Sequence, residues 1–159
     1  MTKDSQPFAG RIALLDPAAT VALGGRVAKG LDLGDAVALE GDLGAGKTTL
    51  ARAILRALGV TEDVPSPTFT LVQIYETPRL TVRHYDLYRI ENASEMDELG
   101  LDDALAEGAA LIEWPERAEG RLPPDMLHIV LAASGSDSRI ATINGPAKWA
   151  KHFEDAHVA

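Results

Sequence analysis

Residues 41–48 combine three glycines with a lysine and a threonine at a spacing suited to binding phosphate. Their sequence, GDLGAGKT, fits G-x-x-x-x-G-K-S/T, the P-loop or Walker A motif. Glycines let backbone N–H groups approach phosphate oxygens, because no Cβ stands in the way. Lys47 can reach the β- and γ-phosphates of a triphosphate, and the Thr48 hydroxyl can bind Mg²⁺. The predicted nucleotide-binding residues of this loop are Gly41, Asp42, Leu43, Gly44, Ala45, Gly46, Lys47, Thr48 and Thr49.

The residues on either side of this loop predict the strand and the helix that a P-loop requires. Residues 36–39 form an apolar run typical of a buried strand. Residues 49–58 place apolar side chains on one side of a helix and Arg52 and Arg56 on the other. This order predicts an anion at the positive N-terminal end of the helix.

The remaining segments predict an α/β fold, a P-loop NTPase with a mixed β-sheet flanked by helices. Asp16 and Pro17 are the expected N-cap and first residue of an early helix, and Ser94 is the expected N-cap of a later one. The tail over residues 146–157 is expected to be helical. The expected strands cover residues 11–15, 36–39, 69–76, 80–85, 109–112, 126–132 and 139–143, and a short turn joins the third and fourth into an antiparallel hairpin.

Two carboxylates follow expected strands and can complete a magnesium site beside the P-loop. Glu113 follows the apolar run 109–112, which is the form of a Walker B element, and Asp86 closes the strand 80–85. Glu113 is predicted to bind magnesium, with a rim carboxylate as the alternative. Asp86 is predicted to orient water or to support the metal, with a helix or turn cap as the alternative.

Several other residues suggest roles near a nucleotide. Thr68 ends a Ser-Pro-Thr segment at a distance from the P-loop where nucleotide switch proteins have a loop that orders on binding, although a proline-stiffened turn explains it equally. Trp114 can stack on a base, although a tryptophan more often belongs to the core. His84 is predicted to be a satisfied structural histidine rather than a ligand. Tyr88 and Arg89 are expected to be structural or to face a partner.

Charge and composition narrow the class of function. The chain has 159 residues and no cysteine, which excludes disulfides, thiol catalysis and thiolate metal sites. Residues 91–119 carry ten carboxylates and one arginine, which accounts for the net charge of −9. This acidic block is interpreted as a solvated surface, with a docking face for a basic partner as the alternative. Because a chain that binds nucleic acid alone usually shows a basic patch, DNA is not an expected partner.

The chain carries no signal that would send it to a membrane. Residues 1–7 lack the basic and apolar regions of a signal peptide, and no apolar run approaches the length of a membrane span. A cytoplasmic location without membrane contact is therefore expected. Without repeats or a second domain in the pattern, residues 1–159 are predicted to form a single P-loop ATPase domain.

Five blocks of the sequence, taken in order, resemble the bacterial TsaE family, also called YjeE. The blocks are GDLGAGKTTLAR, SPTFTLVQIYE, HYDLYRI, ELG and LIEWPER, all within residues 33–117. Members of that family are small ATPases needed to make threonylcarbamoyladenosine in tRNA. The resemblance implies a mixed-sheet P-loop domain that binds ATP and Mg²⁺.

The resemblance also implies roles for single residues. Lys47 matches the phosphate-binding lysine of the family, and Thr48 and Glu113 match its magnesium ligands. Thr68 falls in its switch-like loop, and Asp86 matches its important strand-end aspartate. Asp86 or Thr68 is expected to help place the attacking water, so both are predicted catalytic residues together with Lys47.

Trp114 matches a tryptophan that lies next to the nucleotide in the family. The partners that the resemblance implies are the TsaB and TsaD proteins, on which such ATPases dock, with tRNA held mainly by the assembly. Because catalysis by a P-loop is mostly positioning, hydrolysis is expected to be weak alone and faster with partners.

A small-molecule kinase that uses the same P-loop is the alternative function. It would need a second substrate pocket, usually closed by a lid with several arginines, and no such cluster follows Arg89. A GTPase is disfavoured because the sequence contains no Asn-Lys-x-Asp element to recognise the base.

Overall fold

Seven segments of the chain pair into one mixed β-sheet in the computed structural model, which describes residues 7–156. The strand order is β1-β7-β6-β2-β5-β4-β3; β6, β2, β5 and β4 run parallel, and the other neighbours are antiparallel. The strands are β1 (Phe8–Leu14), β2 (Ala36–Glu40), β3 (Val72–Glu76), β4 (Thr81–Asp86), β5 (Gly108–Glu113), β6 (Leu127–Ala133) and β7 (Arg139–Gly145).

Helices cover both faces of this sheet, which confirms the predicted α/β class. The α-helices are α1 (Pro17–Gly30), α2 (Lys47–Ala57) and α3 (Leu101–Glu107), and the 3₁₀-helices are Ala93–Glu98, Pro115–Ala118 and Ala147–His152. The Asp16 carboxylate accepts a hydrogen bond from the backbone N–H of Ala19 and caps α1, as predicted. No helix within residues 7–156 combines the length and the apolar character needed to cross a bilayer.

Alternation along the central strands divides the core between the two faces of the sheet. Val37 and Leu39 of β2 pack with α1 and α2, whereas Ala36 and Ala38 pack on the face covered by α3 and the 3₁₀-helices Ala93–Glu98 and Pro115–Ala118. Burial of each large aliphatic side chain contributes about 1.5–3 kcal/mol. Because β2 and β5 are buried on both faces, both strands appear in the sequence as continuous apolar runs.

The strand expected over residues 69–76 begins three residues later, at Val72. Leu71 has φ +68°, a left-handed conformation that interrupts the strand, and its N–H donates to the carbonyl of Pro67 at 2.7 Å. Residues 68–70 therefore form a turn before the sheet.

Two expected helices also differ from the prediction. Asn92, not Ser94, is the N-cap of the helix Ala93–Glu98. The Glu95 carboxylate accepts from the N–H of Asn92 at 2.9 Å, and the N–H of Glu95 donates to the backbone carbonyl of Asn92 at 3.0 Å. The tail is helical only over Ala147–His152. The last residue of the expected tail, 157, and residues 1–6, for which no signal peptide was expected, lie outside the described part of the chain.

Nine of the ten carboxylates in the acidic block are exposed, as the interpretation of a solvated surface requires. The tenth, Glu113, is only 2% exposed. Burial thus separates this carboxylate from the others in the block.

Helices α1 and α2 cross so closely at Gly24 that a side chain does not fit there. A Cβ at Gly24 would lie 2.6 Å from the Cβ of Ala53 and 2.9 Å from its backbone carbon. Gly25, the next residue, has nothing within 4 Å of its Cβ position. The two glycines therefore have different structural roles, although both lie inside one helix.

We predict that Gly24→Ala destabilises the fold by about 1–3 kcal/mol, because the two helices must separate to admit the methyl group. Gly25→Ala is the matched control and is expected to stabilise the fold by about 0.5–1 kcal/mol, the usual gain of alanine over glycine in a helix. Urea denaturation of both variants measures the difference. Equal stabilities would contradict the close crossing.

Candidate functional site

Three neighbouring parallel strands end at the same edge of the sheet and bring the predicted site residues together. The P-loop follows β2, while Glu113 ends β5 and Asp86 ends β4. Glu113 is in register with Leu39 on one side and with Asp86 on the other. A cleft of about 360 Å³ opens at this edge. It is lined by Leu43, Gly44, Gly46, Lys47, Thr48, Thr49, Ser66, Thr68, Asp86, Tyr88, Glu113 and Trp114.

The P-loop takes a conformation that depends on glycine at its first position. Gly41 has φ +142°, and a Cβ there would lie 2.5 Å from the carbonyl oxygen of Leu131 on β6. Such an approach excludes any side chain, because the obstacle is backbone. The loop ends at Gly46, which is the N-cap of α2, so the first N–H groups of that helix lie beside the cleft.

Lys47 is almost fully buried, with 5% of its surface exposed. Its ammonium group donates to the carbonyl oxygens of Gly41 at 2.5 Å and Asp42 at 2.9 Å. The same group lies 4.0 Å from the centroid of the Trp114 ring, a cation–π contact. Lys47 is therefore held at the floor of the cleft by two carbonyls and an aromatic face.

Burial lowers the pKa of Lys47 below its ordinary value, because desolvation disfavours the charged form. The opposing influence, which favours the ammonium, comes from four nearby carboxylates: Glu113, Glu116, Asp86 and Asp42. The charge of Lys47 therefore depends on acidic neighbours that surround the cleft.

Thr48, Glu113 and His84 form a buried chain of hydrogen bonds. The Thr48 hydroxyl lies 2.8 Å from one Glu113 carboxylate oxygen and 3.0 Å from the other. His84 Nε2 lies 2.6 Å from Glu113 Oε2. An ionised carboxylate only accepts hydrogen bonds, so with Glu113 ionised the donor of this pair is His84 Nε2. Glu113 is thereby fixed from both sides.

The prediction that His84 is a satisfied structural histidine is only half correct. The side chain is fully buried, and its Nδ1 has no hydrogen-bond partner among the described residues. Its Nε2 contacts the carboxylate that ends β5, so His84 supports the site directly. The alternation of β4 placed His84 and Asp86 on one face, and that signal was present in the sequence.

The donor set of Thr48 and Glu113 fits a magnesium ion. Both residues supply oxygen ligands, which Mg²⁺ prefers, and their mutual hydrogen bonds place those oxygens side by side. Within residues 7–156 no group of three or more His, Cys, Asp or Glu side chains is arranged to hold a metal. The two oxygen donors, Thr48 and Glu113, suit Mg²⁺, which keeps several waters and takes further oxygens from phosphates.

Asp86 is the centre of a second polar network. Its Oδ2 accepts from the Thr68 hydroxyl at 3.0 Å and lies 3.3 Å from the Ser66 hydroxyl, while its Oδ1 accepts from the N–H of Tyr88 at 3.0 Å. The backbone N–H of Asp86 donates to the carbonyl of Leu71 at 2.9 Å. The network ties the proline-rich loop to the end of β4, and Asp86 is only 4% exposed.

Trp114 and Tyr88 form an aromatic wall beside this network. Their ring centroids are 4.9 Å apart with an interplanar angle of 51°. Trp114 has φ +60°, a left-handed conformation, and it lies between β5 and the helix Pro115–Ala118. Tyr88 was expected only to be structural or to face a partner, and the structure places it in the lining of the cleft.

The structure does not bring all nine predicted loop residues to the cleft. Gly41 and Asp42 lie behind Lys47 and accept its hydrogen bonds, and Ala45 packs into the core. Ser66 lines the cleft but was not among the predicted residues. Its hydroxyl stands two residues before that of Thr68, a repeat of hydroxyls that the sequence already showed.

Comparisons with known proteins identify the family and the fold of the chain. The model of the family described as "Threonylcarbamoyl adenosine biosynthesis protein TsaE" matches residues 14–141. The tRNA threonylcarbamoyladenosine biosynthesis protein TsaE of Bacillus subtilis strain 168 is 44% identical over 110 residues, which cover 69% of this chain and 68% of that protein. The protein of the same name from Nostoc sp. strain PCC 7120 is 38% identical over 138 residues, 84% of each chain.

A solved structure extends the likeness to nearly the whole fold. The crystal structure of Bacillus subtilis YdiB superposes with a TM-score of 0.78 at 31% identity and covers 94% of this chain and 95% of that one. The family match spans every strand and helix that contributes to the cleft. The chain therefore belongs to the TsaE family.

Proposed function

We propose that this protein binds and hydrolyses ATP with Mg²⁺ as an accessory protein of threonylcarbamoyladenosine modification of tRNA, acting on a TsaB–TsaD complex. One observation carries the proposal: the P-loop lysine, the Thr48–Glu113 pair and the Asp86–Thr68 network all face a single cleft. The family membership supports the biosynthetic process.

In the proposed mechanism the P-loop and the start of α2 hold the phosphates. Backbone N–H groups at the helix N-terminus stabilise negative charge, and Lys47 leaves its carbonyl partners to contact the β- and γ-phosphates. Thr48 and Glu113 would hold the metal, and Trp114 would stack on the base. A bound Mg²⁺ would neutralise part of the negative charge on the phosphates.

Hydrolysis joins a water oxygen to the γ-phosphorus while the bond to the oxygen bridging the β-phosphate breaks, giving ADP and phosphate. Asp86 orients this water by accepting a hydrogen bond, once its network with Thr68 and Ser66 has opened. Positioning and charge account for most of such catalysis, so placement by a partner raises the rate.

The proposed partners are TsaB and TsaD, with tRNA contacted through the assembly rather than by this chain alone. The exposed acidic block supports an indirect role, because carboxylates repel phosphate backbones. A cytoplasmic location belongs to the same proposal, because tRNA modification takes place there.

We predict that Lys47→Ala weakens ATP binding at least about tenfold, because the main positive charge of the cleft is lost. In a reconstituted reaction with TsaB, TsaD, the threonylcarbamoyl donor and tRNA, this variant should not support repeated modification. Titration calorimetry measures the affinity for ATP. The number of tRNA molecules modified per enzyme molecule measures repeated modification.

Lys151→Ala removes an exposed lysine away from the cleft and is the matched control. If Lys47→Ala supports repeated modification as well as wild type, the accessory function is wrong. Transfer of phosphate to a small metabolite instead of to water would favour the kinase alternative.

Glu113→Gln is expected to remove the gain in ATP affinity that magnesium provides, by about tenfold or more, while affinity in magnesium-free buffer changes little. Glutamine keeps the shape of the side chain but not its negative charge. Glu119→Gln, six residues later and exposed, is the control. Equal magnesium dependence of the wild type and Glu113→Gln would exclude Glu113 as a ligand.

Asp86→Asn is expected to lower the turnover of ATP about a hundredfold and to change the Kd for ATP less than threefold, because its role lies in placing water. Asp102→Asn, on the exposed side of α3, is the control. Single-turnover hydrolysis with the TsaB–TsaD complex present measures the chemical step. A variant that binds ATP poorly and hydrolyses normally at saturation would contradict the assignment.

A further inference from the structure

Arg139, the first residue of β7, contacts the P-loop from outside the cleft. Its Nε donates to the carbonyl oxygen of Ala45 at 3.0 Å, and its Nη2 donates to that of Gly44 at 3.2 Å. Its third nitrogen donates to the carbonyl of Ser138 at 2.9 Å. A residue more than ninety positions away in sequence thus holds two successive carbonyls of the phosphate-binding loop.

We propose that Arg139 is a positioning residue that braces the P-loop in its phosphate-binding conformation. The inference rests on the proposed function, because it assigns a supporting residue to the same phosphate site. The described residues that line the cleft do not include Arg139, so it acts through the loop rather than on a ligand.

Peptide geometry explains how the brace works. In a trans peptide the C=O and the following N–H point in opposite directions. The carbonyl of Ala45 shares its peptide with the N–H of Gly46, so the hydrogen bond from Arg139 turns that N–H away from β7. Gly46 lines the cleft, where N–H groups would meet phosphate oxygens.

The second carbonyl fixes the preceding peptide in the same way. The carbonyl of Gly44 shares its peptide with the N–H of Ala45, which donates to the carbonyl of Asp42 at 3.0 Å and closes the turn of the loop. Because hydrogen bonds in a chain polarise one another, a charged donor on each carbonyl also strengthens the N–H at the other end of the peptide.

The guanidinium is suited to this role by its shape. Its planar fork offers Nε and Nη2 to two acceptors at once, which an ammonium on a flexible stem cannot reproduce with the same geometry. The carbonyl of Leu131 on β6 lies so close to Gly41 that a Cβ there would be 2.5 Å from it. The β6–β7 hairpin therefore lies against the beginning of the P-loop at Leu131 and holds its centre through Arg139.

The experiment measures binding of inorganic tripolyphosphate in magnesium-free buffer, so that neither a base nor the metal contributes. Arg139→Ala is expected to bind tripolyphosphate about tenfold more weakly than wild type. Arg139→Lys keeps the charge but not the fork and should recover less than half of that loss on a logarithmic scale. Arg11→Ala, which removes an exposed arginine from neighbouring β1, is the control and should bind as wild type does.

Amide hydrogen exchange adds a readout that needs no ligand. Exchange at Ala45, whose N–H donates to the carbonyl of Asp42 within the loop, should rise in Arg139→Ala and in Arg139→Lys, while the amides of β2 and β5 stay protected. Wild-type affinity in either Arg139→Ala or Arg139→Lys, or unchanged exchange at Ala45, overturns the brace. If Arg139→Ala does not fold, Arg139→Lys gives the same decision from its own affinity and exchange.

The two proposals fail in different ways. If the wild type binds neither ATP nor tripolyphosphate, the proposed ATPase function is wrong, whereas the exchange at Ala45 still decides whether Arg139 holds the loop. If the wild type binds tripolyphosphate and both Arg139 variants bind it as tightly as the wild type does, only the inference about Arg139 is wrong.

Discussion

The parallel pairing of β5 with β2 on one side and with β4 on the other is the constraint on which the site depends. It places Glu113 in register with Asp86, on the face where α2 begins. A slip of one residue in either strand would turn its carboxylate to the opposite face of the sheet. Apolar side chains on both faces hold the strands in register. The positions of Glu113 and Asp86 at the edge therefore depend on core residues that take no part in the site.

The buried charges of the cleft are one cation and two carboxylates, so a single positive charge faces two negative ones before an anionic ligand binds. Lys47 is the buried cation, and Glu113 and Asp86 are buried carboxylates beside it. A triphosphate would add further negative charge to this set, and burial makes each unbalanced charge costly. Under the proposed function, such a balance would favour joint binding of the triphosphate with a divalent cation, because the cation would offset the negative charge that Lys47 alone does not.

The sequence predicted the parts of the site that depend on local pattern. The P-loop has a fixed spacing, and the acids at the ends of apolar runs become neighbours once parallel pairing is assumed, so Glu113 and Asp86 could be found. The alternation of β4 showed the face on which His84 lies but not its partner Glu113 on β5. Arg139 could not be assigned at all, because its contacts with the P-loop come from a distant hairpin and follow no sequence period. The late start of β3 was missed because its apolar pattern continues through Leu71, where only the backbone conformation interrupts the strand.

The two residues with left-handed backbone among the described non-glycine positions, Leu71 and Trp114, both flank the cleft. Each such conformation costs about 1–3 kcal/mol and persists only where surrounding contacts determine it. At Leu71 those contacts are the hydrogen bonds to Pro67 and Asp86, which hold the Ser66–Thr68 loop against β4. At Trp114 the left-handed turn directs the ring over the Lys47 ammonium instead of continuing β5. The strained backbone at both positions therefore orients groups that face the cleft. An ordinary strand end at either position would be enough to form the fold.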